Sequence, residues 1–368
     1  YARRLRRIGA RRGCTSNGRD QGAAGHPRRA RLKALYAPEY SARSPPTASG
    51  VRRWCVRAPC RRLVGFATIP TAAASQLRRN RPMPVSIPPV LSDHELHQLL
   101  AEDVPFGDLT TESLGIAAAP GAIRFFARDP MTLCGVEEAV RMLELCGAEA
   151  QAHAVSGDDA PPQTLLLEAH GSAGALHRAW KSAQTLMEWC SGMASCAGEI
   201  VAAARRGYPD ALVAGTRKNV PGNRRLAVKA FKAGGAVMHR IGLSETLLIF
   251  AEHRQFLHGE TPAETVRRLH RLCPEKRVVV EVATPDEALA WAEADVLQLG
   301  KFPPEQVAEV AARLGEEGSN AVIAAAGGVN AGNAEAYARA GARLLVTTAP
   351  HVAPPRDVQV RFYAGSEA

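Results

Sequence analysis

Apolar positions recur along this chain with two different periods, and from about residue 83 onward they mark out one element after another. Ser92 and Glu95, flanked by Leu91 and Leu96, have the form of a capping box with a hydrophobic staple, so a helix is expected to start there. It should end by Asp103, ahead of Pro105. The run "EDVPFGDLTT" then reads as a polar loop exposing Asp108 and Thr110. Alternation over 122–129 predicts a strand, and the spacing over 135–147 predicts a helix packing through Val136, Val140, Leu143 and Leu145. A second strand is expected in "QTLLLEAHG", followed by a long helix from Ala173 to Ala204, broken near Ser191-Gly192. Mixed strands and helices of this kind form a compact α+β domain.

Beyond residue 210 the pattern repeats. Short apolar runs at 211–215, 236–239, 246–250, 277–282, 295–299, 320–326 and 343–348 alternate with helical stretches. Two of those stretches open alike, Thr261-Pro262-Ala263-Glu264 and Thr284-Pro285-Asp286-Glu287: a cap, a proline at the first helical position and an acid at the third. Seven such strands must be buried and parallel, which means an α/β barrel or a doubly wound sheet. No GxGxxG follows the first of them, which argues against dinucleotide binding.

Composition sharpens this picture in two places. Of 368 residues, 46% are hydrophobic and 22% charged, as in a folded globular chain, and no apolar run is long enough for a membrane span. The net charge of +10 is uneven: residues 1–82 hold 20 Lys and Arg against Asp20 and Glu39, whereas 83–368 is acidic by 8 charges. Whole-chain charge therefore misleads about partners. Residues 1–82 read as an Arg-rich disordered tail or as sequence translated upstream of a start at Met83, with a targeting peptide or a nucleic-acid-binding arm as the alternatives. The eight cysteines show no CxxC and no zinc-ligand spacing, so free thiols in a reducing cytoplasm are expected.

In a β/α barrel, polar residues just past the carboxyl ends of the strands share one cavity. The first barrel run leads into "GTRKNVPG", placing Thr216, Arg217 and Lys218 there, and the second into "MHRIGLSE", placing His239 and Arg240. The third ends near Glu252 and His253, and the fourth carries Glu281. Taken singly, "TRK" is equally a solvated basic loop and "HR" a structural ion-pairing site. Glu281 is harder to dismiss: a carboxylate inside "VVVEV" must be paired, bound to a ligand, or facing a wet barrel mouth. "AGGVN", ahead of a helix at 331–340, has the form of a phosphate cup. The set suits a polyanionic substrate that also carries a divalent metal.

These pieces, with "SGMAS", "KAGGAVMHRIGLSE", "VEVATPDEAL" and "AGGVNAGNAEAYARAGA", resemble in order and spacing the quinolinate phosphoribosyltransferase family, also called nicotinate-nucleotide pyrophosphorylase (carboxylating). "MTLCGVEEAVRMLELCGA", "HRAWKSAQTLMEW" and "TTAPHVAPPRDVQV" resemble its branch named for the pyrophosphorylase ModD of molybdenum-transport gene clusters. The resemblance implies a type II phosphoribosyltransferase fold: an α/β sandwich domain over 83–204, to which 351–368 returns, and an incomplete seven-stranded α/β barrel over 205–350. It implies a cytoplasmic homodimer with a shared active site, small anionic substrates and no nucleic acid. The reaction implied is transfer of phosphoribosyl from phosphoribosyl pyrophosphate, with Mg2+, to quinolinate or a related aromatic acid. By motif, Arg217, His239 and Arg240 match residues holding the acceptor's carboxylates, and Lys218 and Glu281 those around the ribose, pyrophosphate and metal. Gly327, Gly328, Thr348 and Ala349 match the 5′-phosphate loops, and Lys181 an arginine given by the partner subunit.

The chain also departs from that family. Phe250 stands where the quinolinate enzymes have a lysine, Lys181 where they have an arginine, and Gly198 and Glu199 where they have two arginines. Gly300, beside Lys301, stands where they have an aspartate. Losing the lysine removes a charge-assisted contact of about 1.5–3 kcal/mol, which points to a different acceptor, one with fewer carboxylates or an aromatic base. The competing expectation is a catalytically weak nucleotide- or oxyanion-binding protein linked to molybdate transport.

Overall fold

Ser92 caps the first helix as its spacing predicts: the Glu95 N–H donates to the Ser92 hydroxyl, and the Glu95 carboxylate accepts from the Ser92 N–H at 2.9 Å. This computed structural model describes residues 87–365, so the expectation for the Arg-rich segment 1–82 lies outside the described residues. After α1 (Asp93–Asp103) the expected polar loop contains a short helix, α2 (Leu109–Ser113). Asp108 starts it, its carboxylate accepting from the N–H groups of Thr110 and Thr111 at 3.1 Å, so Asp108 is half-buried and only Thr110 is exposed. Then follow β1 (Pro120–Ala127), β2 (Met131–Thr132), α3 (Val136–Leu145), β3 (Glu149–Ala152), β4 (Asp159–Ala160) and β5 (Leu165–Ser172). The C-terminal strand Val358–Ala364 pairs antiparallel with β1, which pairs with β5, and β5 with β3, giving a four-stranded sheet.

The next helix, α4 (Ala173–Gly207), runs unbroken for 35 residues, so no break occurs at Ser191-Gly192. Small residues there mark close approach instead of a turn. A Cβ on Gly192 would lie 2.2 Å from the Pro354 carbonyl oxygen. The Ser191 and Ser195 hydroxyls accept from the Cys134 and Thr132 N–H groups at 3.0 and 2.9 Å.

All seven expected barrel runs form strands. In chain order the strands and the helices between them are β6 (Leu212–Gly215), α5 (Arg224–Ala233), β7 (Val237–Met238), β8 (Leu247–Ile249), α6 (Ala251–Arg254), α7 (Pro262–Leu272) and β9 (Val278–Val282). They continue with α8 (Pro285–Ala290), β10 (Val296–Gly300), α9 (Pro304–Glu316), β11 (Val322–Ala326), α10 (Ala334–Arg339) and β12 (Leu344–Thr347), after which β13 (Val358–Ala364) is the C-terminal strand of the four-stranded sheet. The barrel strands are all parallel in the order β7-β6-β12-β11-β10-β9-β8, so the sheet curls into a half-barrel open between β7 and β8. Thr261 and Thr284 cap α7 and α8, each accepting from the N–H of the acid three residues on. Among the described residues no helix is long and apolar enough to cross a membrane.

One ion cluster lies between the two parts of the fold. The Lys229 side chain on α5 is fully buried and meets Glu138 at 2.6 Å and Glu137 at 2.8 Å on α3. Glu138 also accepts from the Val90 N–H, and Glu137 from the Ser156 N–H, both at 2.8 Å. Burial pushes the Lys229 ammonium down, but its two carboxylate hydrogen bonds outweigh that and raise it. Lys229→Met would leave the buried Glu138 and the half-buried Glu137 carboxylates without their cation, and urea unfolding should show a loss of about 3–5 kcal/mol; a loss under about 1 kcal/mol would contradict the pairing.

Candidate active site

Alternation along the barrel strands sorts residues into two faces. Val278, Val280 and Val282 pack outward with Leu297 and Leu299, while Val279, Val296, Ala324, Val346 and Leu248 fill the barrel interior as a small apolar plug. One step toward the carboxyl ends, the inward positions become polar. Glu281 on β9 and Gln298 on β10 are register partners, and the Gln298 amide donates to the Glu281 carboxylate. Gln298 is only 5% exposed, and its Oε1 is buried without a hydrogen-bond partner.

Above this pair opens a cavity of about 660 Å3. Arg217 and Lys218 reach it from the end of β6, and His239 and Arg240 from the end of β7. Gly300 bounds it at the end of β10 with Lys301 just beyond, Gly327 and Gly328 after β11, and Thr348 after β12. Phe250, which follows β8, faces Arg240 across the open seam, the guanidinium 5.6 Å from the ring centroid. Its ring also stacks on His253 at 5.8 Å, and its N–H donates to His253 Nδ1 at 3.0 Å. A cation–π contact thus spans the gap that the sheet leaves unpaired.

The electrostatics are lopsided. Five cationic side chains line the cavity, and Glu281 is the only carboxylate among its lining residues. Burial, and then the neighbouring Arg217, push the Arg240 guanidinium below its usual value. Burial, and then Arg240, push the His239 imidazole down in the same way, so it is neutral at pH 7. Arg254 pairs with Glu287 at 3.3 Å and lies over Trp291 at 6.0 Å, yet its Nη1 is buried without a partner. Like charges held together this way are at their lowest energy once an anion fills the space.

Of the residues singled out in the sequence, Arg217, Lys218, His239, Arg240, Phe250, Glu281, Gly327, Gly328 and Thr348 line this one cavity. Ala349 sits half-buried just past the wall, its N–H donating to Thr347 Oγ1 at 3.1 Å. Lys181 lies elsewhere, on α4, in an open groove of about 500 Å3 beside Trp189 and Leu99. Glu252 and His253 are exposed and outside the wall; α6 turns Arg254 inward in their place. Arg254, Gln298 and Lys301 escape the sequence reading. Gln298 had a usable signal, since it interrupts "DVLQL" as Glu281 interrupts "VVVEV".

The sequence patterns described as "Quinolinate phosphoribosyl transferase, N-terminal domain" and "C-terminal domain" match residues 108–191 and 193–361. The chain belongs to the quinolinate phosphoribosyltransferase family. It is 52% identical over 256 residues to the ModD protein of Rhodobacter capsulatus, which is named as a pyrophosphorylase, covering 69% of this chain and 98% of that one. Its fold matches NadC from Streptococcus pyogenes (TM-score 0.68, 22% identity, 74% of this chain and 97% of that one). It also matches the nicotinate-nucleotide pyrophosphorylase from Francisella tularensis (TM-score 0.65, 22% identity, 73% and 95%). Membership makes this family member a transferase of the glycosyltransferase type.

Two histidines of this transferase are held below the ordinary imidazole value, His239 by burial and then Arg240, and His351 by burial. Folding therefore favours their neutral forms. The stability tied to them is intact above the unfolded value of 6.5 and is lost as pH falls from there through the folded-state values. The melting temperature should be lower at about pH 5.5 than at about pH 7.5, and His239→Gln should narrow that difference. An equal difference in the variant would assign the loss to other groups.

Proposed function

We propose that the cavity transfers the phosphoribosyl group of phosphoribosyl pyrophosphate to the ring nitrogen of quinolinate or a related aromatic acid. The observation that carries this reading is the convergence of Arg217, Lys218 and Arg240 with the Glu281–Gln298 pair beside the Gly327-Gly328 turn. The C–O bond at the anomeric carbon breaks with its electron pair leaving on pyrophosphate, and the acceptor nitrogen's lone pair forms the new C–N bond. Positive charge builds on the ribose ring while negative charge leaves, so Glu281 near the ring and lysine and arginine at the leaving group each stabilise what develops. Arginine's planar fork suits a carboxylate, which fits Arg217 and Arg240 to the acceptor. No nucleophilic side chain is required, because orienting two charged reactants does much of the work.

Magnesium would enter with the pyrophosphate. Among the described residues no group of three or more His, Cys, Asp or Glu could hold a metal ion. Its ligands would then be phosphate oxygens and water, with Glu281 the one carboxylate within the cavity wall.

Steady-state pyrophosphate release, measured with phosphoribosyl pyrophosphate, Mg2+ and a panel of pyridine carboxylates, tests this. Turnover is expected, with kcat/KM falling roughly ten- to a hundredfold in Arg240→Ala. No release with any acceptor from folded protein would end the transferase reading. The absent side chain at Gly300 favours a second reading, a nucleotide- or oxyanion-binding protein, for which calorimetry would find tight binding without turnover.

The functional unit we propose is a homodimer in which Lys181 completes the partner's cavity. Supporting this, Lys181 lines an open groove away from its own chain's cavity, where Trp189 is 50% exposed. Mixing inactive Lys181→Ala with inactive Glu281→Gln should restore part of the activity through hybrid dimers; no recovery on mixing would refute the sharing.

A further inference from the structure

Among the described residues only Gln163 and Lys301 have a positive φ without being glycine, and Lys301, at 64°, lines the cavity. A lysine is strained in this left-handed region, which glycine and, less readily, asparagine and aspartate accept. Strain of this kind persists where the surroundings over-determine it. Here the Lys301 N–H donates to the Ala326 carbonyl at 2.7 Å, fixing the residue against the end of β11. The side chain then lies against Gly327, where a Cβ would come within 2.7 Å of Lys301 Cγ. Gly327 is thus shaped around this lysine. Both Gly327 and Gly328 take a φ of 90° and are exposed. The Gly328 carbonyl, whose dipole would repel an anion, is held by the side-chain amides of Asn330 at 3.1 Å and Asn333 at 3.0 Å. Among the described residues no carboxylate forms an ion pair with Lys301.

We propose that Lys301 is the cation of the phosphate subsite: its side chain, laid against Gly327, brings an ammonium to balance the charge of a phosphate monoester seated on the Gly327-Gly328 turn. That this phosphate is the 5′-phosphate of a phosphoribosyl substrate rests on the reading above; that the subsite binds a phosphate monoester does not. A compact ammonium serves as a point charge here, and the glycine backbone leaves the phosphate oxygens room to approach. Lysine at this position trades backbone stability for a positive charge beside the turn.

The test is calorimetric titration of the full chain with ribose 5-phosphate, together with melting temperatures. Lys301→Asn removes the charge and tolerates the backbone, so its melting temperature should equal or exceed that of the parent while its Kd rises at least tenfold. Lys301→Arg should stay within about threefold of the parent. An unchanged Kd in Lys301→Asn, or no ribose 5-phosphate binding by the parent, would overturn the assignment. A lower melting temperature with an unchanged Kd would make Lys301 structural and equally overturn it. Turnover separates the two readings. If the parent binds ribose 5-phosphate and Lys301→Asn does not, the subsite stands even where no acceptor reacts, and only the transferase reading fails. If the parent turns over and Lys301→Asn keeps its KM for phosphoribosyl pyrophosphate, the transferase stands and Lys301 does not.

Discussion

Close backbone approach along α4 is the constraint on which the rest of the molecule depends. The part of that helix through Ala194 belongs to the core that packs against the four-stranded sheet, and the stretch from Ala197 to Ala204 belongs to the core outside the barrel sheet. Its glycines sit where neighbouring backbones cross: Gly192 under Pro354 and Gly207 under Glu335, where a Cβ would lie 2.3 Å from the carbonyl oxygen. Gly234, at the end of α5, meets α4 in the same way, with a Cβ falling 2.4 Å from the Ala194 carbonyl. Interiors packed at crystal-like density do not absorb such clashes by small adjustments. A single rigid rod shared by both cores therefore fixes where the half-barrel sits, and with it the positions of the strand ends that carry the cavity.

The two ionic centres of the fold follow opposite logic. At Lys229 each charge is answered, the buried ammonium by the buried Glu138 and the half-buried Glu137 carboxylates and these in turn by backbone N–H groups. The cluster ties α5 to α3 and leaves no valence for a ligand. In the cavity the cations outnumber the single lining carboxylate, and two of them, Arg217 and Arg240, press on each other enough to lower the Arg240 pKa after burial has already done so. Unanswered charge of this sort costs stability in the free protein. It persists because the strand ends are held from behind by α4 and the outer core.

Elements were legible where a local rule decided them. The Ser92–Glu95 box, the Thr261 and Thr284 caps and the seven apolar runs each follow from spacing alone, and each forms as expected. The reading failed where a residue's reason lay in a distant neighbour. Gly192 looks like a helix breaker until Pro354 is seen above it, and Asp108 looks like loop until its carboxylate is found capping α2. The same divide runs through the site. Glu281 stands out because a charge interrupts a buried strand, whereas Arg254 lies on a helix that the third run was not expected to begin, and Lys301 matters through a φ angle that no sequence pattern displays.

The polar layer beneath the cavity bears on what the site can hold. A Cβ at Gly300 would lie 3.7 Å from Glu281 Cγ, an ordinary contact, so packing does not exclude a side chain there. A carboxylate at that point would set a second negative charge against Glu281 and would need a cation between them. The chain instead pairs Glu281 with the amide of Gln298, whose remaining oxygen is buried and unpartnered. An unanswered neutral acceptor closed to solvent is a cost that this layer bears. One carboxylate and one amide also make a sparse ligand set for a hard cation. On the phosphoribosyl reading, the group of this layer left open to the ligand is the half-buried Glu281 carboxylate, and any metal would be carried by the phosphates above it.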